Sequence, residues 1–339
     1  MDINNLETFK GLITKYDLND RDQLKVSSIY KFFEEATGFT SSLLNKKLDF
    51  NFEEQLQINY PNLKYQEYQT VYILTDLKRQ KDSIQFINKL YLSTSDNDSK
   101  DLIISLNKNT INSVKLENFS INKPKINTDI FSAFKGLVKK EDCDQMSHMN
   151  VQYYFGKHSD AIKILFNKIS SQSLDNLAYR IVNERCIFSK EVSLDCALEI
   201  VLSIKNIYEN NLILLSKVYC IDNKNVSAYF ETNISFRTDE QLKNIINNIF
   251  STKTPTYLNE LQFNDLRQLS ENRPSSKPSK IAFISCKKAV NTWDLDHKLM
   301  GSNQFKIGCV SDAATHLFTY CGADYNWRTE YNIGSAALD

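Results

Sequence analysis

The chain of 339 residues exceeds the ~100 to 200 residues of a typical domain, so we expect two or three folded units. Its 41 Lys and Arg residues balance its 41 Asp and Glu residues, and this neutrality favours neither a nucleic-acid partner nor an anionic membrane surface. The seven cysteines are odd in number and scattered, without a C-x-x-C pair. We therefore expect reduced packing residues, with no disulfide framework and no metal site.

The amino-terminal residues 1–17 include acids and lack an apolar core of the length found in signal peptides. No later stretch reaches the ~18 consecutive apolar residues that a membrane-spanning helix needs. These features predict a cytoplasmic protein that does not enter a membrane.

The first predicted elements follow an acidic stretch that begins at Tyr16. A short polar turn leads there into an aromatic helix that includes Glu35 and Ala36. Strands rich in β-branched and aromatic residues come next, separated by polar turns, and they predict an antiparallel meander. These strands are predicted at 70–78, 83–93 and 101–106.

The middle of the chain repeats this order of elements. An acidic turn at 141–150 leads into a helix whose apolar residues between Val151 and Ile169 predict burial on more than one side. A helix followed by an antiparallel sheet indicates an α+β fold, because the helix covers the apolar face that the sheet must bury. The strands of this second meander are predicted at 196–208, 211–221 and 226–236.

The remaining chain resembles a linker followed by an incomplete unit. Residues 239–280 contain one predicted short helix at 240–250 and end in a stretch with Pro274 and Pro278. A further helix is predicted at 302–321. Since its apolar side chains need cover, we expect it to pack against the sheet of another unit or chain.

An internal repeat relates the middle and last parts of the chain. Val138 and Val290 begin two stretches that match without a gap, with counterparts 152 residues apart. A register held over this length is not expected by chance. Further matching pairs are Asp142 and Asp294, Asp144 and Asp296, Gln152 and Gln304, Gly156 and Gly308, Ser159 and Ser311, and Asp160 and Asp312.

A weaker copy near the amino terminus requires a small gap in the alignment. Its Asp20 and Asp22 align with the paired acids of the middle copy, and its Glu35 aligns with Asp160. Residues 25–28 (Lys-Val-Ser-Ser) then replace the Ser-His-Met-Asn segment, and residues 299–302 (Leu-Met-Gly-Ser) replace it in the last copy. We therefore predict a first repeat at 1–124, a second at 125–240, a linker at 241–280 and a partial third repeat at 281–339.

The segment from Glu141 to Asn150, continuing through Tyr153 and Tyr154 to Asp160 and Ala161, carries a family resemblance. It resembles the active-site signature of hot-dog-fold acyl-CoA thioesterases of the 4-hydroxybenzoyl-CoA thioesterase type, in which an acid-x-acid turn leads through a Gly-His-x-Asn-like segment into a central helix. The resemblance implies a tandem hot-dog fold, with a central helix wrapped by an antiparallel sheet in each complete repeat. The chain departs from the signature where Ser147 replaces the usual glycine.

The resemblance also implies a chemistry, the hydrolysis of an acyl-CoA or acyl-carrier thioester in lipid metabolism. Asp144 would be the nucleophile or general base, and backbone N–H groups at the start of the helix would polarise the thioester carbonyl. His148 or Asn150 would orient water or substrate, and Asp160 would supply a second carboxylate. No cofactor and no metal are implied. Substrate-binding residues would be Ser147, Met149, Tyr153 and Tyr154.

Each candidate also has a structural interpretation. Asp144 is of the residue type that most often caps a helix, and His148 suits a solvated turn. His158 falls on the apolar stripe of the helix and is predicted to be a core histidine with satisfied hydrogen bonds. Asp160 suits a packing and hydrogen-bonding position as well as a catalytic one.

The differences between copies favour the second repeat as the active one. The first repeat would then form the opposite wall of the site, within an intrachain hot-dog pair or a homo-oligomer. The alternative is a non-catalytic module that binds an acyl thioester or a protein. A hot-dog dehydratase is less favoured, because no Asp and His are placed together on the helix in the manner of that family.

Overall fold

A computed structural model describes residues 3–44, 52–58, 65–79, 84–93, 102–110, 130–144, 146–173, 177–237, 239–251 and 302–320, with Gly322, Asn326 and Glu330. The helices are α1 (Val26–Leu43), α2 (Val151–Ser173), α3 (Glu240–Ser251) and α4 (Asn303–Tyr320). The strands are β1 (Ile3–Leu12), β2 (Phe52–Ile58), β3 (Thr70–Arg79), β4 (Ile84–Leu92), β5 (Leu102–Thr110), β6 (Phe131–Leu137), β7 (Tyr179–Phe188), β8 (Ala197–Tyr208), β9 (Asn211–Cys220) and β10 (Asn225–Phe236).

All these strands form one antiparallel sheet, in the order β2-β5-β4-β3-β1-β6-β8-β9-β10-β7. The two halves of the chain meet where β1 pairs with β6. From this junction outwards, each half has its first, third, fourth, fifth and second strand, so both halves share one topology. The α+β prediction is confirmed, as are the predicted positions of α2 and of both meanders.

The two long helices form because each places large apolar side chains on the side that faces the sheet. In α1, Ile29, Phe33 and Ala36 recur every three or four residues and are fully buried. In α2, Ile162 and Leu165 are likewise fully buried. Burying one such large apolar side chain contributes about 1.5 to 3 kcal/mol, so this packing outweighs the modest helix propensity of the β-branched and aromatic residues. Each helix contacts both β1 and β6.

Buried charges lie at the junction of the two halves. Lys10 and Lys135 occupy directly opposed positions on β1 and β6. Lys135 Nζ lies 3.0 Å from Glu7 Oε1 and 3.8 Å from Glu199 Oε1, which also accepts a hydrogen bond of 2.6 Å from Ser132 Oγ. Since an unpaired buried charge is costly, these carboxylates offset the two opposed lysines.

The last two helices both pack against the second half. α3, in the stretch predicted to be a linker, buries Leu242, Ile246, Ile249 and Phe250 in the core around α2. α4 confirms the helix predicted at 302–321, but it packs mainly against α2, with a hydrogen bond from Asn303 to Glu184 on β7, rather than on a sheet face. Residues 252–301 lie outside the described residues.

The prediction that all cysteines are reduced is wrong for one pair. Cys196 and Cys220 form a disulfide, with Cα atoms 6.5 Å apart. Cys196 immediately precedes β8 and Cys220 ends β9, and the antiparallel pairing of these strands brings the two residues together. Among the described residues no helix combines the length and the apolar character needed to cross a bilayer. The cytoplasmic location stays a prediction.

Candidate functional site

The predicted site is a tightly hydrogen-bonded turn between β6 and α2. A single 3₁₀ turn at Lys140–Asp142 is closed by Asp142 Oδ2, which accepts from Lys139 N at 3.0 Å. Asp144 Oδ1 then accepts from two backbone N–H groups, Met146 N at 2.9 Å and His148 N at 3.1 Å. Asp144 does not make the predicted cap of α2, because both N–H groups that it binds precede the helix, which begins at Val151. The carboxylate organises the turn instead.

The first half contains the same turn, with counterparts 125 residues apart. Asp17 Oδ2 accepts from Thr14 N at 2.8 Å, as Asp142 does from Lys139. Asn19 Oδ1 accepts from the backbone N–H groups two and four residues later, at 2.9 and 3.0 Å, as Asp144 does. The turn then ends with one more shared bond, from Lys25 N to Asp17 O at 2.8 Å.

These bonds correct the predicted alignment of the first copy. Asp20 and Asp22 are not the counterparts of the paired acids, which correspond to Asp17 and Asn19. Asp22 instead corresponds to Ser147, since both have a positive φ, of 58° and 62°. No gap is needed, and the Ser-His-Met-Asn segment corresponds to Asp-Gln-Leu-Lys at 22–25.

Comparison of the two turns shows that the structural role of Asp144 does not depend on its charge. An uncharged amide oxygen of Asn19 accepts the same pair of hydrogen bonds in the first half. The turn therefore requires an acceptor but not a negative charge. The negative charge of Asp144 is therefore not needed to hold the turn, and it can serve a chemical role.

The segment that follows Asp144 is clamped to the loop between β7 and β8. Met149 N donates to Val192 O at 2.8 Å, and Leu194 N donates to Ser147 O at 2.9 Å. His148 Nδ1 lies 3.3 Å from Glu191 Oε2 but makes no hydrogen bond within the described part of the chain. Asn150 precedes α2, and its side-chain oxygen accepts from Gln152 N at 3.4 Å.

Ser147 is strained, because its φ of 62° lies in the left-handed region that disfavours most L-residues. Ser147→Gly is expected to raise the free energy of unfolding by about 0.5 to 1 kcal/mol, since relief of strain exceeds the entropy that glycine adds to the unfolded chain. Urea denaturation measures the change. The β-branched control Ser147→Val should lower stability, and equal effects from both changes would contradict the strain.

Asp160 lies on α2 beside a cluster of paired charges. Asp142 Oδ2 is 2.7 Å from Lys157 Nζ, and Lys139 Nζ is 2.6 Å from Glu35 Oε1 on α1. The second pair joins the two halves of the chain. The partners Lys139, Lys157 and Glu35 were not predicted as site residues, because they bear on the site only once the halves are packed together.

Burial raises the pKa of Asp160 to about 6, against the attraction of Lys157 and Lys139 and with a further upward contribution from Asp142. Burial also opposes the charged form of Lys139, but the neighbouring Glu35 carboxylate raises the pKa of Lys139 overall. A half-buried carboxyl group with a pKa near neutrality is suited to accepting a proton.

The predicted substrate-binding residues lie in different surroundings. Ser147 is exposed and Tyr153 is half-buried, whereas Met149 and Tyr154 are buried in the core around α2. The ring of Tyr154 packs edge-on against Phe188, with centroids 5.1 Å apart. Met149 and Tyr154 are thus enclosed in the core of the described residues, and their contact with substrate stays a prediction.

His158 is a core histidine with two hydrogen-bond partners, as predicted. Its Nδ1 lies 2.7 Å from Glu184 Oε1, and its Nε2 lies 2.8 Å from Ser216 Oγ. With Nδ1 donating to an ionised Glu184, a neutral imidazole has Nε2 as the acceptor of the serine hydroxyl. The imidazole also stacks on Phe230, with centroids 4.0 Å apart. The network is enclosed beneath α2.

Ser216→Ala is expected to lower the free energy of unfolding by about 1 to 3 kcal/mol, since it leaves His158 Nε2 buried without its partner. Thermal or urea denaturation measures this loss. Activity per folded molecule should not change, because the network lies in the core. Ser203→Ala, at a half-buried position on the adjacent strand β8, is the matched control and should change stability by less than about 0.5 kcal/mol. A Ser216 variant as stable as the parent would contradict the assigned network.

One group of side chains within the described residues has the composition of a metal site. The sulfurs of Cys196 and Cys220 and a carboxylate oxygen of Asp222 lie within 4.8 Å of one another. With the disulfide formed, neither sulfur is a thiolate, and Asp222 Oδ2 accepts from Ala197 N at 2.7 Å. The residues as arranged therefore fit a cross-strand brace rather than a metal ligand set.

Solved structures share this architecture. An acyl-CoA hydrolase from Agrobacterium tumefaciens aligns with a TM-score of 0.50 and 8% sequence identity, over 69% of this chain and 96% of that one. The fold is that of the hot-dog thioesterases. At this identity the likeness concerns the fold alone. No protein-family model matches the sequence, and no curated protein matches it.

Two smaller hot-dog neighbours were solved with coenzyme A. A hypothetical protein from Staphylococcus aureus in complex with CoA aligns with a TM-score of 0.35 and 15% identity, over 48% of this chain and 100% of that one. A thioesterase complexed with coenzyme A and Zn from Thermus thermophilus aligns with a TM-score of 0.32 and 12% identity, over 38% of this chain and 98% of that one. In this chain, α2 is the long helix of the second half, and Asp144 lies in the turn that leads into it.

Proposed function

We propose that the chain hydrolyses an acyl-CoA or acyl-carrier thioester to the free acid and thiol. The observation that carries this proposal is the pair formed by Asp144 and Asn19. Both side chains accept the same turn hydrogen bonds, but only the second half has a negative charge there. A hot-dog architecture like that of an acyl-CoA hydrolase is consistent with the proposal.

In the proposed reaction, Asp144 acts as general base or nucleophile. As a base it takes a proton from water, whose oxygen attacks the thioester carbonyl carbon. The C–S bond then breaks, and the departing sulfur takes up a proton to give the thiol. The Val151 N–H group at the start of α2 would stabilise the negative oxygen of the tetrahedral intermediate, since Gln152 N and Tyr153 N already donate to Asn150.

The neighbouring side chains have supporting roles in this proposal. His148, whose Nδ1 makes no hydrogen bond among the described residues, and Asn150 would orient water or substrate. Asp160 would act as a second carboxylate, since its raised pKa suits proton transfer near neutral pH. Exposed Ser147 and half-buried Tyr153 would contact the substrate.

We further propose that the two halves are tandem hot-dog units, repeats 1–124 and 125–240, with a partial third repeat at 281–339. The shared strand order and the shared turn support the first two. The first unit would wall the site opposite Asp144, which the ion pair between Glu35 and Lys139 supports.

A non-catalytic acyl-thioester- or protein-binding module is the second candidate. It is favoured by the two turn hydrogen bonds that Asp144 Oδ1 already accepts, which would hold the carboxylate away from a substrate. The two candidates differ in whether a bound thioester is cleaved.

Release of free thiol from a panel of acyl-CoAs of different chain length tests the proposal. Hydrolysis of at least one thioester, saturable and proportional to protein concentration, is expected. Binding of CoA without thiol release from any of the acyl-CoAs would favour the binding module instead.

A further inference from the structure

The two helices α2 and α4 pack through a reciprocal contact. The side-chain amide of Gln152 on α2 lies over Gly308 on α4, and the amide of Gln304 on α4 lies over Gly156 on α2. A Cβ atom on either glycine would overlap the amide oxygen that covers it. Each amide is the end of a flexible side chain that can move aside for a small group, so the glycines favour the close approach of the helices, and a large side chain is needed to oppose it.

The contacting residues are also counterparts in the internal repeat. Gln152 and Gln304 occupy equivalent positions, as do Gly156 and Gly308, so each helix carries the pattern Gln-x-x-x-Gly. Exchanging the two helices reproduces the same pair of contacts, which is the property of a local two-fold axis. α2 thus packs against a copy of its own surface.

A further pair of counterparts extends the likeness. Ile307 of α4 packs against the core that contains its counterpart Phe155 of α2. One contact is not reciprocal: Asn303 Nδ2 donates to Glu184 Oε2 at 2.6 Å, whereas the counterpart of Asn303 is the apolar Val151. This extra hydrogen bond, together with the covalent tether, favours α4 over a second α2 as partner.

From this geometry we propose that the Gln152–Gly156 face of α2 is a self-complementary docking surface, which α4 covers in the intact chain. When α4 is displaced, the same face binds α2 of a second copy of the protein through the same two-fold contact. The partial third repeat therefore controls self-association. This inference is independent of the proposed thioester hydrolysis.

Two matched glycine substitutions in the full chain test the proposal. Gly308→Leu and Gly156→Leu should both displace α4, because each introduces the same side chain at the crossing point. Hydrogen exchange of residues 303–320 should rise in both variants. Only Gly308→Leu leaves the α2 face intact, so light scattering should show its mass rise about twofold over the parent with concentration, whereas Gly156→Leu should keep the parental mass.

The double variant Gly156→Leu, Gly308→Leu should also keep the parental mass. Association of both single variants to the same extent would indicate nonspecific contact through the exposed α4, and would overturn the proposal. It would equally be overturned by a Gly308→Leu protein that releases α4 but does not associate, or by one in which α4 stays protected from exchange.

Discussion

Asp144→Asn is expected to reduce thioester turnover by ~100-fold to 10,000-fold if Asp144 is a general base, and by more if it is the nucleophile. The substitution keeps an oxygen acceptor for the N–H groups of Met146 and His148. Asn19 already makes this arrangement in the first half. Stability should therefore change little, so lost activity would report on the charge. Steady-state kinetics on the best acyl-CoA, with urea denaturation alongside, measures both quantities.

The first half provides matched controls for this substitution. Asn19→Asp places a carboxylate in the counterpart turn, which has Gln23 where the second half has His148, and it should leave turnover unchanged. Asp22→Asn alters the counterpart of Ser147 and should likewise have a small effect. Full hydrolysis by the Asp144 variant, or a greater loss from Asp22→Asn, would show that the active turn has been wrongly assigned.

The meander strands and long helices were predictable because their apolar patterns are local. The strands next to the turns were harder. β6 contains Lys135 and Gly136 and is almost wholly buried, so it lacks the alternation of a half-exposed strand. β7 at the sheet edge contains the strand formers Tyr179, Ile181 and Val182, but few of its residues are buried, and it was not among the predicted strands. Tertiary pairing, rather than propensity, therefore places β6 in the sheet.

The register of the first turn could not be read from the sequence. Asp17, Asp20 and Asp22 lie within six residues of one another, and paired acids alone do not show which of them closes the turn. The equivalence of Asn19 and Asp144 depends on hydrogen bonds that either side chain can accept. Residue identity therefore pointed to the wrong pair, although Glu35 and Asp160 were matched on the same 125-residue spacing as the turn.

The charged surroundings of the site could likewise be identified only from the folded structure. Glu35 meets Lys139 across the two halves, and His158 meets Glu184 and Ser216 from two different strands. The burial of His158 followed from its place on the helix, but its partners did not. A raised pKa at Asp160 likewise depends on burial that composition does not reveal.

Asp160→Asn is expected to stabilise the protein at neutral pH. Folding raises the pKa of this carboxyl from its ordinary value near 4 to about 6, so the folded state binds the extra proton more tightly than the unfolded state. The free energy of unfolding therefore falls as pH rises from ~4 through ~6. The asparagine side chain does not ionise, so the variant avoids this loss of stability. Because Asp160 is half-buried, we expect Asp160→Asn to raise the free energy of unfolding by about 1 to 2 kcal/mol above pH 7 and by close to zero at pH 4.

Glu35 is the counterpart of Asp160 in the first half, and its substitution is a control for which we expect the opposite change in the free energy of unfolding. It is ion-paired with Lys139, so Glu35→Gln should lower the free energy of unfolding at neutral pH, because the partly buried lysine loses its partner. Urea denaturation of both variants across pH 4 to 8 separates the two cases. If both substitutions changed the free energy of unfolding in the same direction, the difference assigned to the surroundings of Asp160 and Glu35 would be contradicted.

The same Asp160→Asn protein should be a poor catalyst despite its greater stability. A carboxylate that takes up a proton during turnover must be ionised, so kcat/KM of the parent should rise with pH around a midpoint near 6. The amide cannot titrate, and its rate should be ~100-fold or more lower, without that rise. Gain of stability with loss of activity is the expected sign of a group retained for chemistry rather than for folding. If the variant instead keeps the parental rate and the parental pH profile, Asp160 serves packing, and the chemistry depends on the turn at Asp144 alone.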